Sequence, residues 1–128
     1  MNFIKTTKAP AAIGPYSQAV SASCAAFVYT SGQLGLKPET GDFSGDDVAS
    51  QTRQALSNIK AVLHQAGAHV DDIIKTTVYL TEMGKFADVN QEYTRFFDDH
   101  QPARSVVGVK ELPKSALVEI EAIACVKK

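Results

Sequence analysis

The residues best suited to chemistry lie in the last quarter of the chain, in two segments that read as β-strands, 102–109 and 117–126. Arg104 opens the first, and Glu119 and Glu121 sit inside the second. Side chains alternate along a strand, so Val118, Ile120, Ala122, Ala124 and Val126 share one face. Leu117, Glu119, Glu121, Ile123 and Cys125 share the other. The first face is uniformly apolar and must cover a core. The second mixes apolar residues with two carboxylates, the pattern of a covered face that holds a polar pocket. A charge in such a place costs free energy unless it is paired or hydrogen-bonded. An arginine with a carboxylate there could hold a small anionic substrate and a water molecule. The same residues could equally form an intrachain salt bridge, and taken alone they leave both readings open.

The elements that must position these residues follow from periodicity. Residues 25–32 form a strand candidate rich in aromatic and β-branched side chains, stopped by Gly32. Pro38 and Gly41 mark a turn. Val48, Ala55, Leu56, Ile59, Val62, Leu63 and Ala66 keep helical spacing over 46–66, with Asp46 and Asp47 at the positive end and Gly67 as terminator. Residues 73–81 form a strand, with Ile74, Thr76, Val78 and Leu80 on one side and Lys75, Thr77 and Tyr79 on the other. A second helix runs from about Lys85 to Asp98, its buried stripe made by Phe86, Val89, Tyr93, Phe96 and Phe97. The two terminal strands follow, joined by a loop through Leu112, Pro113 and Lys114. Two helices suffice for one face of a mixed sheet. No third long helix is available for the face carrying Tyr29, Tyr79, Leu117, Ile123 and Cys125. That face is expected to be covered by another subunit, with sites near the interface.

Bulk properties narrow the function. A chain of 128 residues, 45% apolar and 21% charged, reads as one globular domain spanning 1–128. A net charge of −1 without a lysine- or arginine-rich run argues against a nucleic-acid or membrane partner. Lys110, Lys114, Lys127 and Lys128 could form only a small local patch. Neither a transmembrane run nor the apolar core of a signal peptide is present, so the cytosol is the expected compartment. Cys24 and Cys125 fit no metal spacing and are expected to be reduced, packed thiols. His64, His69 and His100 show no ligand pairing and read as surface or helix-end residues.

Seven stretches, in order, resemble the RidA (YjgF) family: 9–19 (APAAIGPYSQA), 29–33 (YTSGQ), 72–80 (DIIKTTVYL), 86–90 (FADVN), 102–105 (PARS), 112–114 (LPK) and 118–124 (VEIEAIA). Each motif alone is weak; the ordered set is specific. The resemblance implies a chorismate-mutase-like α+β fold with two helices packed on one face of a mixed sheet. It implies a homotrimer with a site in each cleft between subunits. It also implies an activity, the hydrolysis of 2-iminobutanoate and 2-iminopropanoate to 2-oxo acids and ammonia, protecting pyridoxal-phosphate enzymes, with no cofactor or metal of its own.

The resemblance assigns roles residue by residue. Arg104 matches the substrate-carboxylate arginine, whose planar fork can hold a carboxylate through two parallel hydrogen bonds. Glu119 matches the glutamate that orients the attacking water and passes a proton to the departing ammonia. Glu121, on the same face, is the competing carboxylate. Tyr16 and Ser31 match pocket-lining residues, and Gly32 would let the backbone approach a ligand. Tyr16 could also be an aromatic plug, and the Ser31–Gly32 pair a plain strand end. Asn90 could contact substrate or make a capping or interface hydrogen bond. Val106 stands where many bacterial members carry cysteine, which leaves main-chain contact but no thiol. The rival readings are a trimer that binds 2-oxo acids without turnover, and an RNA-directed or chaperone-like activity of the kind attributed to relatives. The near-neutral charge weighs against RNA.

Overall fold

The computed structural model describes residues 1–127; Lys128, one of the terminal lysines singled out above, lies outside the described residues. Seven strands and two α-helices occur among them: β1 (Asn2–Ile4), β2 (Ala19–Ser21), β3 (Ala26–Tyr29), β4 (Gln33–Leu34), α1 (Val48–Gln65), β5 (Ile73–Leu80), α2 (Phe86–Phe97), β6 (Ala103–Gly108) and β7 (Val118–Val126). The main sheet runs β3-β7-β5-β6, and β4 also pairs with β7. β6 lies parallel to β5, and β7 is antiparallel to β3, β4 and β5. A parallel neighbour demands a crossover, which α2 supplies between β5 and β6.

The alternation read for β7 holds: Val118, Ile120, Ala122 and Ala124 are buried. α1 lays Leu56, Ile59 and Leu63 on this face, and α2 adds Val89, Tyr93 and Phe97. Each fully buried aliphatic side chain of this kind contributes about 1.5–3 kcal/mol relative to exposure. Gly67, at φ +79°, ends the first helix as expected.

Four expectations are corrected. On β5, Ile73 and not Ile74 is buried with Thr76, Val78 and Leu80, because a bulge between Ile73 and Lys75 shifts the alternation by one residue. Val62 is 41% exposed, and Ala66 is exposed too, so the apolar stripe of α1 is narrower than its sequence suggests. The N-terminal segment, given no element, forms a hairpin of β1 and β2. Cys24 and Cys125 are joined in a disulfide with Cα atoms 5.3 Å apart. Antiparallel pairing sets Ala26 opposite Val126, which brings the residues just before β3 against the end of β7. A separation of 101 residues in sequence conceals that meeting.

The opposite face of the sheet has no helix. Tyr29 is 70% exposed and Phe27 51%. Tyr79 and Ile123 are half-buried and Cys125 is sealed by its own disulfide and by β3, whereas Leu117, just before β7, packs on the helix-side core instead. No helix among the described residues is long and apolar enough to cross a membrane.

Candidate functional site

Arg104 is the second residue of edge strand β6, directly opposite Thr76 of β5. Thr76 is buried on the helix side, so Arg104 points to that side as well. α2 meets it there with three residues from one helix face: Phe86, Asn90 and Tyr93. Arg104 Nη1 donates to Asn90 Oδ1 at 2.7 Å. Its guanidinium carbon lies 4.7 Å from the ring centre of Tyr93 and 5.3 Å from those of Phe86 and Tyr16. These are cation–π distances. Burial lowers the Arg104 pKa, with Tyr93 and Tyr16 opposing the shift, and the guanidinium stays charged.

Local rules bring Tyr16 to this place. Pro15 fixes its own backbone angle, and the Tyr16 amide donates to the Gly14 carbonyl at 2.8 Å, tightening the turn. Ser17 then bridges Ala103 in parallel fashion, its amide donating to the Pro102 carbonyl at 3.2 Å. Residue 16 is thereby laid along the outer edge of β6, beside Arg104. The preceding loop is tied down by Gln18, whose amide Nε2 donates to the carbonyls of Ala9 and Pro10 and whose Oε1 accepts from the Thr6 amide. A groove of about 590 Å³ runs beside Tyr16 and Gln18.

Glu119 lies on the other face. It sits opposite Tyr79 of β5 and Leu34 of β4, on the helix-free side with Glu121. The Tyr79 phenol is raised above its ordinary pKa by burial first, then by Glu121 and more weakly by Glu119. Neither carboxylate has an ion-pair partner among the described residues, whose only ion pairs join Glu92 to Arg53 and Arg95. A Cβ on Gly32 would collide with the Glu119 carboxylate, so glycine is what admits that side chain. Ser31 is exposed beside it.

The structure therefore sorts the predicted residues into two groups. Arg104, Asn90 and Tyr16 converge on the helix face, with Val106 two residues along, half-buried and packed on the core. Glu119, Gly32 and Ser31 gather on the open face. Within one chain the arginine and the glutamate do not meet, and the intrachain salt bridge between Arg104 and either glutamate is absent among the described residues. Asn90 sits inside α2, is no cap, and serves as Arg104's partner. His100 Nε2 donates to the Ile73 carbonyl at 2.7 Å, and His64 is exposed in the last turn of α1. No metal-binding cluster occurs among the described residues. A cavity of about 280 Å³ between the N-terminal ends of the two helices contains none of the candidates.

The sequence offers Phe86 and Tyr93 only as parts of a buried stripe, and Thr76 only as a member of one strand face. Positions 86, 90 and 93 share one helix face, so an asparagine between two aromatics on that face was the available signal.

An edge-strand arginine set among aromatic rings, on a sheet covered by two helices on one side only, defines a small α+β protein with an anion-ready site. Residues 6–126 match the family described as Endoribonuclease L-PSP. The chain belongs to that family, the RidA (YjgF) family. It is 49% identical over 124 residues to the 2-iminobutanoate/2-iminopropanoate deaminase of Escherichia coli K12, covering 94% of each chain. It is 48% identical to the putative reactive intermediate deaminase TdcF of the same organism, again over 94% of each. The crystal structure of E. coli TdcF with bound serine superposes with a TM-score of 0.75, at 46% identity and 98% coverage of both chains.

Proposed function

We propose that this protein hydrolyses small 2-imino acids, 2-iminobutanoate and 2-iminopropanoate among them, to 2-oxo acids and ammonia. It would act as a homotrimer of chorismate-mutase-like subunits, in the cytosol beside the pyridoxal-phosphate enzymes that release such imines. The observation that carries the reading is the state of Arg104: pre-positioned by Asn90 and three rings, and with no carboxylate partner among the described residues. An arginine held this way suits a substrate carboxylate. The relatives named as imine deaminases at 48–49% identity, and the relative crystallised with serine, support a small carboxylate as its ligand.

Glu119 supplies the other half from a neighbouring subunit, because its own face of the sheet is turned away from Arg104. In the proposed step, a water held by Glu119 attacks C2 of the imine as the carboxylate takes its proton. The carbon–nitrogen double bond becomes a carbinolamine. Glu119 returns that proton to nitrogen, which completes the carbinolamine; the carboxylate then takes the hydroxyl proton and delivers it to nitrogen as the C–N bond breaks, so the carbonyl forms and ammonia leaves. Imines already hydrolyse readily in water, so one positioned acid–base group, worth roughly 10²–10⁴-fold, is sufficient. Tyr16, Ser31 and Gly32 would line the pocket, and Val106 would contribute main-chain atoms.

The test is a coupled assay in which a threonine or serine dehydratase generates the imine. Wild-type protein should accelerate 2-oxo acid release, and Arg104→Ala and Glu119→Gln should not. A wild-type rate equal to the protein-free rate would contradict the reading. An active Glu119→Gln would remove this residue from the acid–base role, whereas a wild type without turnover that binds pyruvate through Arg104 would indicate a carboxylate-binding trimer.

A further inference from the structure

We infer that Tyr93 is a positioning residue for Arg104: its ring face, locked from behind by the hydroxyl of Thr76, sets the plane in which the guanidinium fork meets an anion. The link to substrate rests on the reading above; the positioning itself does not.

Of the three rings around the guanidinium, that of Tyr93 is the nearest at 4.7 Å and the only one fully buried. It has little freedom to tilt. Its hydroxyl lies 2.7 Å from Thr76 Oγ1, and its ring packs on Phe97 with centres 4.5 Å apart. Burial pushes the phenol up to about 12, so it stays neutral and stacks as an electron-rich ring.

Thr76 is otherwise unexplained. It stands in a buried row with Ile73, Val78 and Leu80, where valine would pack as well without burying a hydroxyl. It is also the residue paired with Arg104 across the β5–β6 ladder. The backbone pair and the Thr76–Tyr93–Arg104 contacts close one loop. Sheet register thus fixes the threonine, the threonine fixes the ring, and the ring fixes the fork. A free arginine side chain loses rotamer freedom when it is held, and this arrangement absorbs that cost during folding. Asn90 takes one N–H of the fork, at Nη1, and no other side-chain hydrogen bond engages the guanidinium among the described residues.

The experiment replaces Tyr93 by phenylalanine and then by progressively ring-fluorinated phenylalanines, which keep the shape and weaken the negative ring face. Three readouts are taken on the full-length protein: the Kd for pyruvate by calorimetry, KM and kcat for coupled imine hydrolysis, and solvent exchange of the Arg104 Nε–H by NMR. Across the series, Kd and KM should rise together by about threefold to thirtyfold, as expected for loss of a desolvated cation–π contact. The kcat should stay within about twofold, because a contact that holds the carboxylate equally in ground and transition states moves KM alone. Exchange at Arg104 should quicken in step. Rapid Arg104 exchange already in the wild type, or Kd and exchange that stay flat through the series, would overturn the inference. If the wild type lacks imine turnover while Arg104 exchange still follows fluorination, the deaminase reading fails and the positioning role stands.

Discussion

On the helix-covered face, Arg104 has three rings, an amide partner and a neighbouring strand that fixes its register. On the open face, Glu119 and Glu121 lie among half-buried neighbours with no ion-pair partner among the described residues, beside a Tyr29 that is 70% exposed. One region is finished within a single chain. The other has the composition of a pocket without its walls. Only β5 separates their strands, β6 and β7, yet the two regions lie on opposite faces of the sheet. On the proposed function, folding preorganises the arginine half of the site and assembly would complete the glutamate half.

The largest effect should come from the finished half. Arg104→Ala removes two charge-assisted hydrogen bonds to substrate, and kcat/KM should fall by about 10²–10³-fold. Arg104→Lys should recover only part of this, since lysine keeps the charge and loses the fork. Full recovery by lysine would mean that charge alone matters. Glu119→Gln probes the other half differently. It should lower kcat by roughly 10²–10⁴-fold while leaving pyruvate affinity near that of the wild type. A parallel loss of affinity would place Glu119 in binding and erase the distinction between the two regions.

Stability changes should be smaller and should separate the regions again. The Cys24–Cys125 link joins residues 101 positions apart, at the far end of the open face. Reducing it, or Cys24→Ser, should cost about 2–4 kcal/mol and lower Tm by about 10 °C, with KM unchanged. A shift in KM on reduction would show that the open face and the arginine cage are coupled. Beneath the cage, Glu92 of α2 receives Arg53 at 2.9 Å and Arg95 at 3.0 Å. Its pKa is lowered, chiefly by the hydrogen bond from Arg53. A depressed carboxylate stabilises the fold above its unfolded value, 4.5, and the contribution is lost as pH falls through the folded value below that. Glu92→Gln should cost about 1–2 kcal/mol at neutral pH and flatten the acid limb of the Tm profile. Parallel acid limbs for wild type and variant would remove Glu92 from the account.

Much of this was legible in the chain. Alternation over 118–124 set the core face of β7, and the helical spacing of Val89, Tyr93 and Phe97 set that of α2, with Phe86 and Phe96 of the expected stripe only half-buried. Arg104 and Glu119 stood out because charges in apolar strands need a reason. The rest was hidden by long-range geometry. A bulge moved Ile73 into the core in place of Ile74, and periodicity has no way to register a one-residue slip. The disulfide depended on which strands pair, and the β1–β2 hairpin on strands of 3 residues each, too short to show a period. The opposite orientation of Arg104 and Glu119 needed the register of β6 on β5 and of β5 on β7 together. No spacing within either strand contains it.

In the proposed function, Arg104 and Glu119 act together only across a subunit boundary. The direct measurement mixes two inactive proteins, Arg104→Ala and Glu119→Gln, by co-refolding or co-expression, and follows imine hydrolysis. Random reassortment in a trimer pairs an intact Arg104 with an intact Glu119 at about one cleft in four, so activity should return to about a quarter of the wild-type value. A mixture that stays as inactive as its components, with mixed trimers demonstrated, would contradict the account.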